Sequence, residues 1–280
     1  MAAVEAVPAL PSSAERDLEG SLLAEIRAKR RKRLVAAWVI RLVFLGVFAG
    51  IWHFVSATNI VPAFFIGDPI KVVLTLFDII RTPDLWVNIE ETFGAAILSL
   101  AFGSGLGILA GVILSRSPTL AQAMNPYIAL FNGLPRPALA PLFILWFGLG
   151  ITAKVMVGIT IVFFILLVNT MAGLSSIDPD IALLTRSLGA SRLQRFRLVE
   201  VPWALPTIVA GLRLAAVYSV LGVVVCEMVA SYFGIGQLLV KATNGFEIDL
   251  SFALLTILAL MATALDLAVS ALQRSLRREA

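Results

Sequence analysis

Residues 175–206, "SSIDPDIALLTRSLGASRLQRFRLVEVPWALP", separate two long apolar stretches of the chain. Asp178 followed by a proline has the pattern of a capped helix start. Gly189 suits the left-handed residue that often follows a helix end. Ser191 can cap a second short helix, which we expect Pro202 to end. The segment therefore predicts two short helices joined by a tight glycine turn.

A loop that only connected two membrane spans would not need this local structure. Spacing alone leaves two interpretations open. The loop is either a docking element for a partner protein, or a solvated basic loop of the kind common on the cytoplasmic side of membranes.

The composition of the whole chain points to the bilayer. Of its 280 residues, 59% are hydrophobic and only 14% are charged, whereas soluble domains average about 45–50% apolar residues. We read the net charge of +4 as cytoplasmic loops facing anionic lipid, not as nucleic-acid binding. A single cysteine, Cys226, and a single histidine exclude an intrachain disulfide and a Cys/His zinc site.

Several apolar stretches are long enough to cross a membrane, which takes about 20 residues. Five are uninterrupted: residues 34–55, 93–114, 154–172, 207–230 and 251–272. A sixth, residues 125–149, contains Pro135, Pro137 and Pro141, so we expect a kink or break near its middle. The sequence thus predicts an all-α integral membrane protein with six transmembrane helices.

Six spans place both termini on one side of the membrane, and basic residues choose the side. One side would carry most of them: residues 29–33, Arg116, the arginines of 186–197, Arg274, Arg277 and Arg278. The other would carry Lys71, Arg81, Lys154 and Lys241. We therefore expect cytoplasmic termini. Residues 1–33 would form a retained N-terminal tail with a basic amphipathic segment, and residues 34–280 the membrane domain.

Two further patterns predict packing. "GDPIKVVLTLFDIIRT" (67–82) should form an outer amphipathic helix packed on the bundle, with helically spaced apolar residues at Ile70, Val73, Leu74, Phe77 and Ile80. Small residues four apart allow close helix approach in lipid, and this spacing occurs at Gly103, Gly107 and Gly111. Internal packing is the favoured interpretation, and a dimer seam is the alternative.

Ionisable groups within spans are the candidates for a substrate pathway. Arg136 lies between two prolines, where freed backbone would line a cavity, and its planar fork suits oxyanions. Asn132 lies one turn earlier on the same face. Glu227, near the outer end of its span, is a third candidate. The alternative for Arg136 and Glu227 is a structural pairing, with an arginine as partner of Glu227; Asp266 is expected to pair with an arginine in the same way.

Four stretches carry a family resemblance in order: "LAPLFILWFGLG" (139–150), "VNTMAGLSSIDPD" (168–180), the 187–215 segment and "CEMVAS" (226–231). With the six-span topology, they resemble ABC importer permeases of the nitrate/sulfonate/taurine type, with a type I importer fold. Gly189 and Pro202 keep the spacing of that family's cytoplasmic coupling loop, here about residues 174–206. Leu183, Leu184 and Thr185 replace its Glu-Ala-Ala opening, so we expect a more apolar and arginine-based ATPase contact.

The resemblance implies a permease subunit of a bacterial inner membrane that carries out no chemistry itself. The chain has no phosphate-binding G-x-x-x-x-G-K-[ST] loop, so ATP and magnesium would bind partner subunits and no cofactor would bind here. The implied partners are a second copy, two ATPases, an extracytoplasmic solute-binding protein and lipid. The implied coupling residues are Ile181, Leu184, Arg186, Ser187, Leu188, Gly189, Ala190, Ser191, Arg192 and Arg195.

The implied solute is a small, anionic one, such as a sulfonate, taurine, nitrate or an aromatic acid. The alternative is a secondary transporter or a membrane-embedded enzyme without an ATPase. A secondary transporter would usually show more spans and paired repeats. An enzyme would need clustered acids or metal ligands at the membrane face, and the sequence shows no such cluster.

Overall fold

The computed structural model describes residues 13–58 and 61–276, which contain helices and no β-strand within those ranges. The chain divides into two units, residues 1–63 and 64–280. The first unit contains α1 (Ser13–Ala57), one continuous helix that includes the predicted span 34–55 and runs unbroken through residue 33. The first twelve residues of the expected N-terminal tail lie outside the described ranges.

The helices that follow α1 can be given in chain order. They are α2 (Ala63–Ile66), α3 (Pro69–Ile80), α4 (Pro83–Ser115), α5 (Pro118–Gly133), a 3₁₀ turn (Arg136–Leu139), α6 (Ala140–Phe147), α7 (Ile151–Ser175), α8 (Pro179–Ser187), α9 (Arg192–Arg195), a π turn (Phe196–Glu200), α10 (Val201–Val229), α11 (Ile235–Asn244) and α12 (Ile248–Leu276).

Five of the described helices are long and apolar enough to cross a membrane. The bent pair formed by α5 and the Arg136–Phe147 segment makes a sixth, with an angle of 82° at the break. The predicted interruption is therefore confirmed. The helix starts earlier than predicted, because the hydroxyl of Ser117 accepts a hydrogen bond from the Leu120 amide and caps α5.

The glycine stripe of α4 packs inside the bundle, as favoured from the sequence. A Cβ on Gly103 would lie 2.7 Å from Val162 Cβ, and one on Gly111 would lie 2.6 Å from Thr170 Cβ. Both partners belong to α7. Because any side chain would push α7 away, these glycines set the spacing of the two helices.

Helix α3 forms where predicted, and the Asp68 carboxylate accepts a hydrogen bond from the Ile70 amide at its start. The residues that pack are not those whose helical spacing predicted the helix. Val72 is buried, and Leu76 and Ile79 pack against the core. The residues whose helical spacing predicted α3 are 40–59% exposed: Ile70, Val73, Leu74, Phe77 and Ile80. Both sides of α3 are apolar, so periodicity could not decide which one packs.

Candidate functional site

The loop between α7 and α10 begins with the predicted helix and glycine turn. The Asp178 carboxylate accepts a hydrogen bond from the Asp180 amide at 2.8 Å and so caps α8. Gly189 has a φ of +73°, a conformation that costs a residue with a Cβ free energy. The Gly189 amide donates to the Arg186 carbonyl at 3.0 Å, and the Ala190 amide to the Thr185 carbonyl at 3.2 Å. These bonds end α8 in a tight reversal.

The second short helix, α9, is capped by Ser191 as its sequence predicted, and the structure shows that this cap is reciprocal. The Ser191 hydroxyl accepts from the Gln194 amide at 3.3 Å. The Gln194 side chain accepts from the Ser191 amide at 2.8 Å. This capping box satisfies two backbone donors at the helix start, so the turn around Gly189 is held by a helix end on one side and a helix start on the other.

The expectation that Pro202 ends the second helix is wrong. Residues Arg192–Val229 form one helical path, and Pro202 lies in the first turn of α10. The Val201 amide reaches back to the Phe196 carbonyl, which makes the Phe196–Glu200 segment a π turn. Proline lacks the amide hydrogen that an α-helix would use at this point. The wider turn therefore carries the helix past the proline.

The loop exposes large apolar side chains at its tip. Leu184 is 59% exposed and Leu188 is 76% exposed. The other predicted coupling residues surround them. Arg186, Ser187, Gly189, Ser191 and Arg192 are exposed, and Ile181, Ala190 and Arg195 are partly buried. An exposed apolar tip on a locally rigid turn is suited to binding a groove on a partner protein.

The base of this loop is tied to its neighbours by contacts that sequence spacing did not reveal. The Glu200 carboxylate pairs with Arg195 Nε at 2.8 Å and with Arg116 Nη1, from the end of α4, at 3.3 Å. The Arg116 guanidinium also lies 4.1 Å from the ring centre of Phe196. The indole of Trp203, in the first turn of α10, donates to the Ser176 carbonyl at the end of α7 at 3.2 Å. These contacts link the loop to α4 and α7.

Arg136 and Asn132 come together at the break of the bent span. Arg136 Nη2 donates to Asn132 Oδ1 at 2.9 Å, and its guanidinium lies 5.0 Å from the ring centre of Phe164. No carboxylate of the described residues forms an ion pair with Arg136. Arg136 is partly buried, and no described carboxylate compensates its charge.

A cavity of about 230 Å³ adjoins Arg136. Its other lining residues are Leu134, Pro137, Val157, Ile161, Tyr218, Leu221 and Val225. The guanidinium is the one charged group in an otherwise apolar or aromatic wall. An anion with an apolar body would meet matching chemistry there.

Glu227 lies elsewhere and does not line that cavity. It is 1% exposed, and its carboxylate lies 3.3 Å from Lys154 Nζ. The expected partner of Glu227 was an arginine, which is wrong. The arginine pairing expected for Asp266 is confirmed, because Arg213 Nε lies 2.9 Å from its carboxylate.

The groups around Glu227 form a closed network. Thr92 Oγ1 donates to the Glu227 carboxylate at 2.9 Å, and the Gly236 amide donates to it at the same distance. Lys154 Nζ donates to the Phe233 carbonyl at 2.7 Å, and the Gly234 amide donates to Asn88 Oδ1 at 2.6 Å. The network fastens residues 230–236, which are the connection between α10 and α11 and the first residues of α11, to the first turns of α4 and α7.

Nothing in the described part of the chain resembles a metal centre. No group of three or more histidine, cysteine, aspartate or glutamate side chains is arranged there to hold an ion.

Comparison with known proteins places the chain in a family. Residues 103–279 match the family model described as "binding-protein-dependent transport system inner membrane component". The chain is 29% identical to a putative aliphatic sulfonates transport permease of Bacillus subtilis, covering 90% of this chain and 92% of that one. It is 29% identical to a taurine transport system permease of Escherichia coli, covering 83% and 86%.

A third relative carries a different solute. The chain is 33% identical to a riboflavin transport system permease of Chloroflexus aurantiacus, over 78% of this chain and 81% of that one. Among solved structures, it is similar to the MetNI methionine ABC transporter, at 19% identity with a TM-score of 0.60, covering 70% of this chain and 98% of that one. The likeness confirms the all-α ABC importer permease fold.

The family match, the sulfonate and taurine relatives and the apolar helices agree with one another. The chain belongs to the family of binding-protein-dependent transport system inner membrane components and is a multi-pass permease subunit of an ABC importer of the nitrate/sulfonate/taurine branch.

Proposed function

We propose that this permease couples ATP hydrolysis by a separate ATPase to the uptake of a small organic anion. The turn around Gly189 carries this proposal, because it presents Leu184 and Leu188 to solvent on a locally rigid element. Apolar docking would dominate the contact, since an exposed ion pair contributes only about 0–1 kcal/mol.

The base of the loop explains how a push would reach the membrane. Glu200 and Trp203 connect the loop to α4 and α7, and the π turn joins it without a break to α10. A displacement of α8 would therefore move the ends of three spans together. Rigid-body motion of this kind is how many transporters alternate between open sides.

The anion path is proposed to pass the break at Arg136. The uncompensated guanidinium and the cavity beside it support this role, and the names of the sulfonate and taurine relatives are consistent with it. The riboflavin relative shows that family membership does not determine the solute.

The arrangement proposed for the whole transporter follows from the family. Two copies of this chain would face each other, with two ATPases on the cytoplasmic side and a solute-binding protein on the other. Both termini and the 174–206 loop would be cytoplasmic, in agreement with the distribution of basic residues. Glu227, fully enclosed by its partners, is assigned a structural role in this proposal.

Co-purification tests the coupling role. A tagged chain should retain an ABC ATPase from membranes, and Gly189→Val should lose it because a β-branched residue cannot adopt a positive φ without strain. Gly189→Asn is the matched control, since asparagine tolerates this conformation. The proposal fails if the wild-type chain never retains an ATPase, or if Gly189→Val retains it fully.

Uptake of labelled taurine, an alkanesulfonate and nitrate by cells producing the complete system tests the path. Arg136→Gln should abolish uptake of whichever anion the wild type imports, with the assembled complex still recovered in normal amount. Arg136→Lys, which keeps the charge without the planar fork, should retain a fraction of it. Normal uptake by Arg136→Gln would make Arg136 a structural residue.

A further inference from the structure

A second arginine-rich cavity lies at the base of the 174–206 loop, apart from the Arg136 cavity. Its volume is about 270 Å³. It is lined by Ser115, Arg116, Leu174, Ile177, Arg186, Arg195, Val199 and Glu200. Its three arginines come from three different elements, the end of α4, α8 and α9, so the fold rather than a local run of sequence brings them together.

The hydrogen-bond donors of these arginines are mostly unused. Each guanidinium has five N–H donors. Arg195 donates a hydrogen bond from Nε to Glu200 Oε1, and Arg116 donates one from Nη1 to Glu200 Oε2. Arg186 forms no hydrogen bond or ion pair with any side chain that the structure describes. Glu200 is the one acidic residue of the lining, which leaves an excess of two positive charges.

The orientation of Arg116 is fixed before any ligand arrives. Its guanidinium stacks 4.1 Å from the Phe196 ring centre and bonds to Glu200. Glu200 also holds Arg195 at 2.8 Å. A site whose donors are held in place loses less entropy on binding than a flexible one.

The position of the cavity favours the phosphate of a phospholipid over a free inorganic anion. Arg116 directly follows α4, whose apolar span ends at Ser115, so the cavity lies at the boundary between the apolar core and the aqueous phase. Leu174, Ile177 and Val199 supply apolar walls beside the arginines. A free inorganic anion gains nothing from such walls. A phospholipid offers a phosphate for the guanidinium groups and a glycerol and acyl region for the walls.

We propose that the Arg116–Arg186–Arg195 cavity binds the phosphate of an anionic phospholipid. The position of the 174–206 loop would then depend on the lipid composition around it. This site is separate from ATP, solute and the apolar docking tip. It assigns Arg186 and Arg195 to lipid rather than to the ATPase.

Native mass spectrometry of the purified, delipidated full-length chain tests the proposal. Phosphatidylglycerol and phosphatidylethanolamine are added in equal amounts, and the retained lipid is counted. The wild type should retain phosphatidylglycerol preferentially. Arg186→Gln should lower its retention about tenfold or more, because a hydrogen bond to a charged group is lost. This variant leaves the fold intact, since Arg186 has no side-chain partner in the described structure. Arg197→Gln, an exposed arginine outside the lining, is the matched control and should behave as wild type.

The remaining outcomes are decisive in either direction. If excess inorganic phosphate does not displace the retained phosphatidylglycerol, the site binds lipid. If excess inorganic phosphate removes the phosphatidylglycerol, the site binds a soluble phosphate and the lipid proposal is wrong. Equal retention of both lipids, or equal loss in Arg186→Gln and Arg197→Gln, overturns the proposal. If Arg186→Gln instead loses the ATPase with its lipid unchanged, the arginine serves the ATPase and the proposal is wrong. The lipid measurements themselves do not require an ATPase to be present.

Discussion

Breaking the buried Lys154–Glu227 pair should destabilise the permease strongly. The side chains are 2% and 0% exposed and lie 3.3 Å apart. At that distance the attraction is about 5 kcal/mol for an effective dielectric constant of about 20, which offsets a desolvation cost of several kcal/mol per ion. The intact pair therefore contributes little net stability, while removing one partner leaves a buried charge and costs about 3–5 kcal/mol.

The contacts of Lys154 and Glu227 show which partners each variant leaves for the remaining charge. Glu227→Gln keeps an oxygen for the Gly236 amide but leaves the Lys154 ammonium with Glu91 at 3.5 Å and the Phe233 carbonyl. Lys154→Met leaves the carboxylate with Thr92 and Gly236 alone. The double variant has no buried charge, so its loss of stability should be smaller than the sum of the single losses by about 3 kcal/mol, at the upper end for contacting residues.

The assay is equilibrium unfolding of the purified chain in mixed micelles with a rising fraction of dodecyl sulfate, followed by tryptophan fluorescence. Glu90→Gln, an exposed carboxylate next to Glu91 in sequence, is the matched control and should change the unfolding free energy by less than about 0.5 kcal/mol. Additive losses in the double variant would refute the reasoning, because they would show that the two charges do not depend on each other.

Two other changes test the packing and the base of the loop. Gly107→Ala places a Cβ 2.5 Å from the Phe163 carbonyl and should cost about 1–3 kcal/mol. Gly105→Ala, with nothing within 4 Å, should instead stabilise α4 by up to about 1 kcal/mol, measured by the same unfolding assay; equal effects would contradict the α4–α7 contact. Glu200→Gln removes both ion pairs of Arg116 and Arg195 and should increase the rate of tryptic cleavage in the loop, whereas Arg197→Gln should not. Unchanged cleavage in Glu200→Gln would show that the pairs do not hold the loop.

Local rules predicted the loop well. The caps at Asp178 and Ser191 and the turn at Gly189 depend on residues within a few positions of one another, so their spacing is readable in the sequence. The same holds for the proline break beside Arg136. The prediction that Pro202 ends a helix was wrong, because proline is compatible with the first turn of a helix as well as with its end.

Contacts between distant residues could not be predicted in the same way. Lys154 and Glu227 meet because α7 and α10 pack together, and no periodicity links them. The Arg116–Glu200 contact depends on where α4 ends relative to the π turn. Helix α3 shows the limit of apolar patterning in a membrane protein, because lipid and the bundle both accept leucine and valine, and the pattern does not say which side packs.

Cross-linking from an introduced cysteine with a bifunctional thiol-reactive reagent tests the central claim most directly. The native thiol, Cys226, is buried and should not react. A cysteine at Leu188, on the exposed tip of the loop, should cross-link to the ATPase in native membranes, and one at exposed Lys241 of α11 should not. Cross-linking from residue 241 alone, or from neither position in a complex that contains the ATPase, would contradict the account.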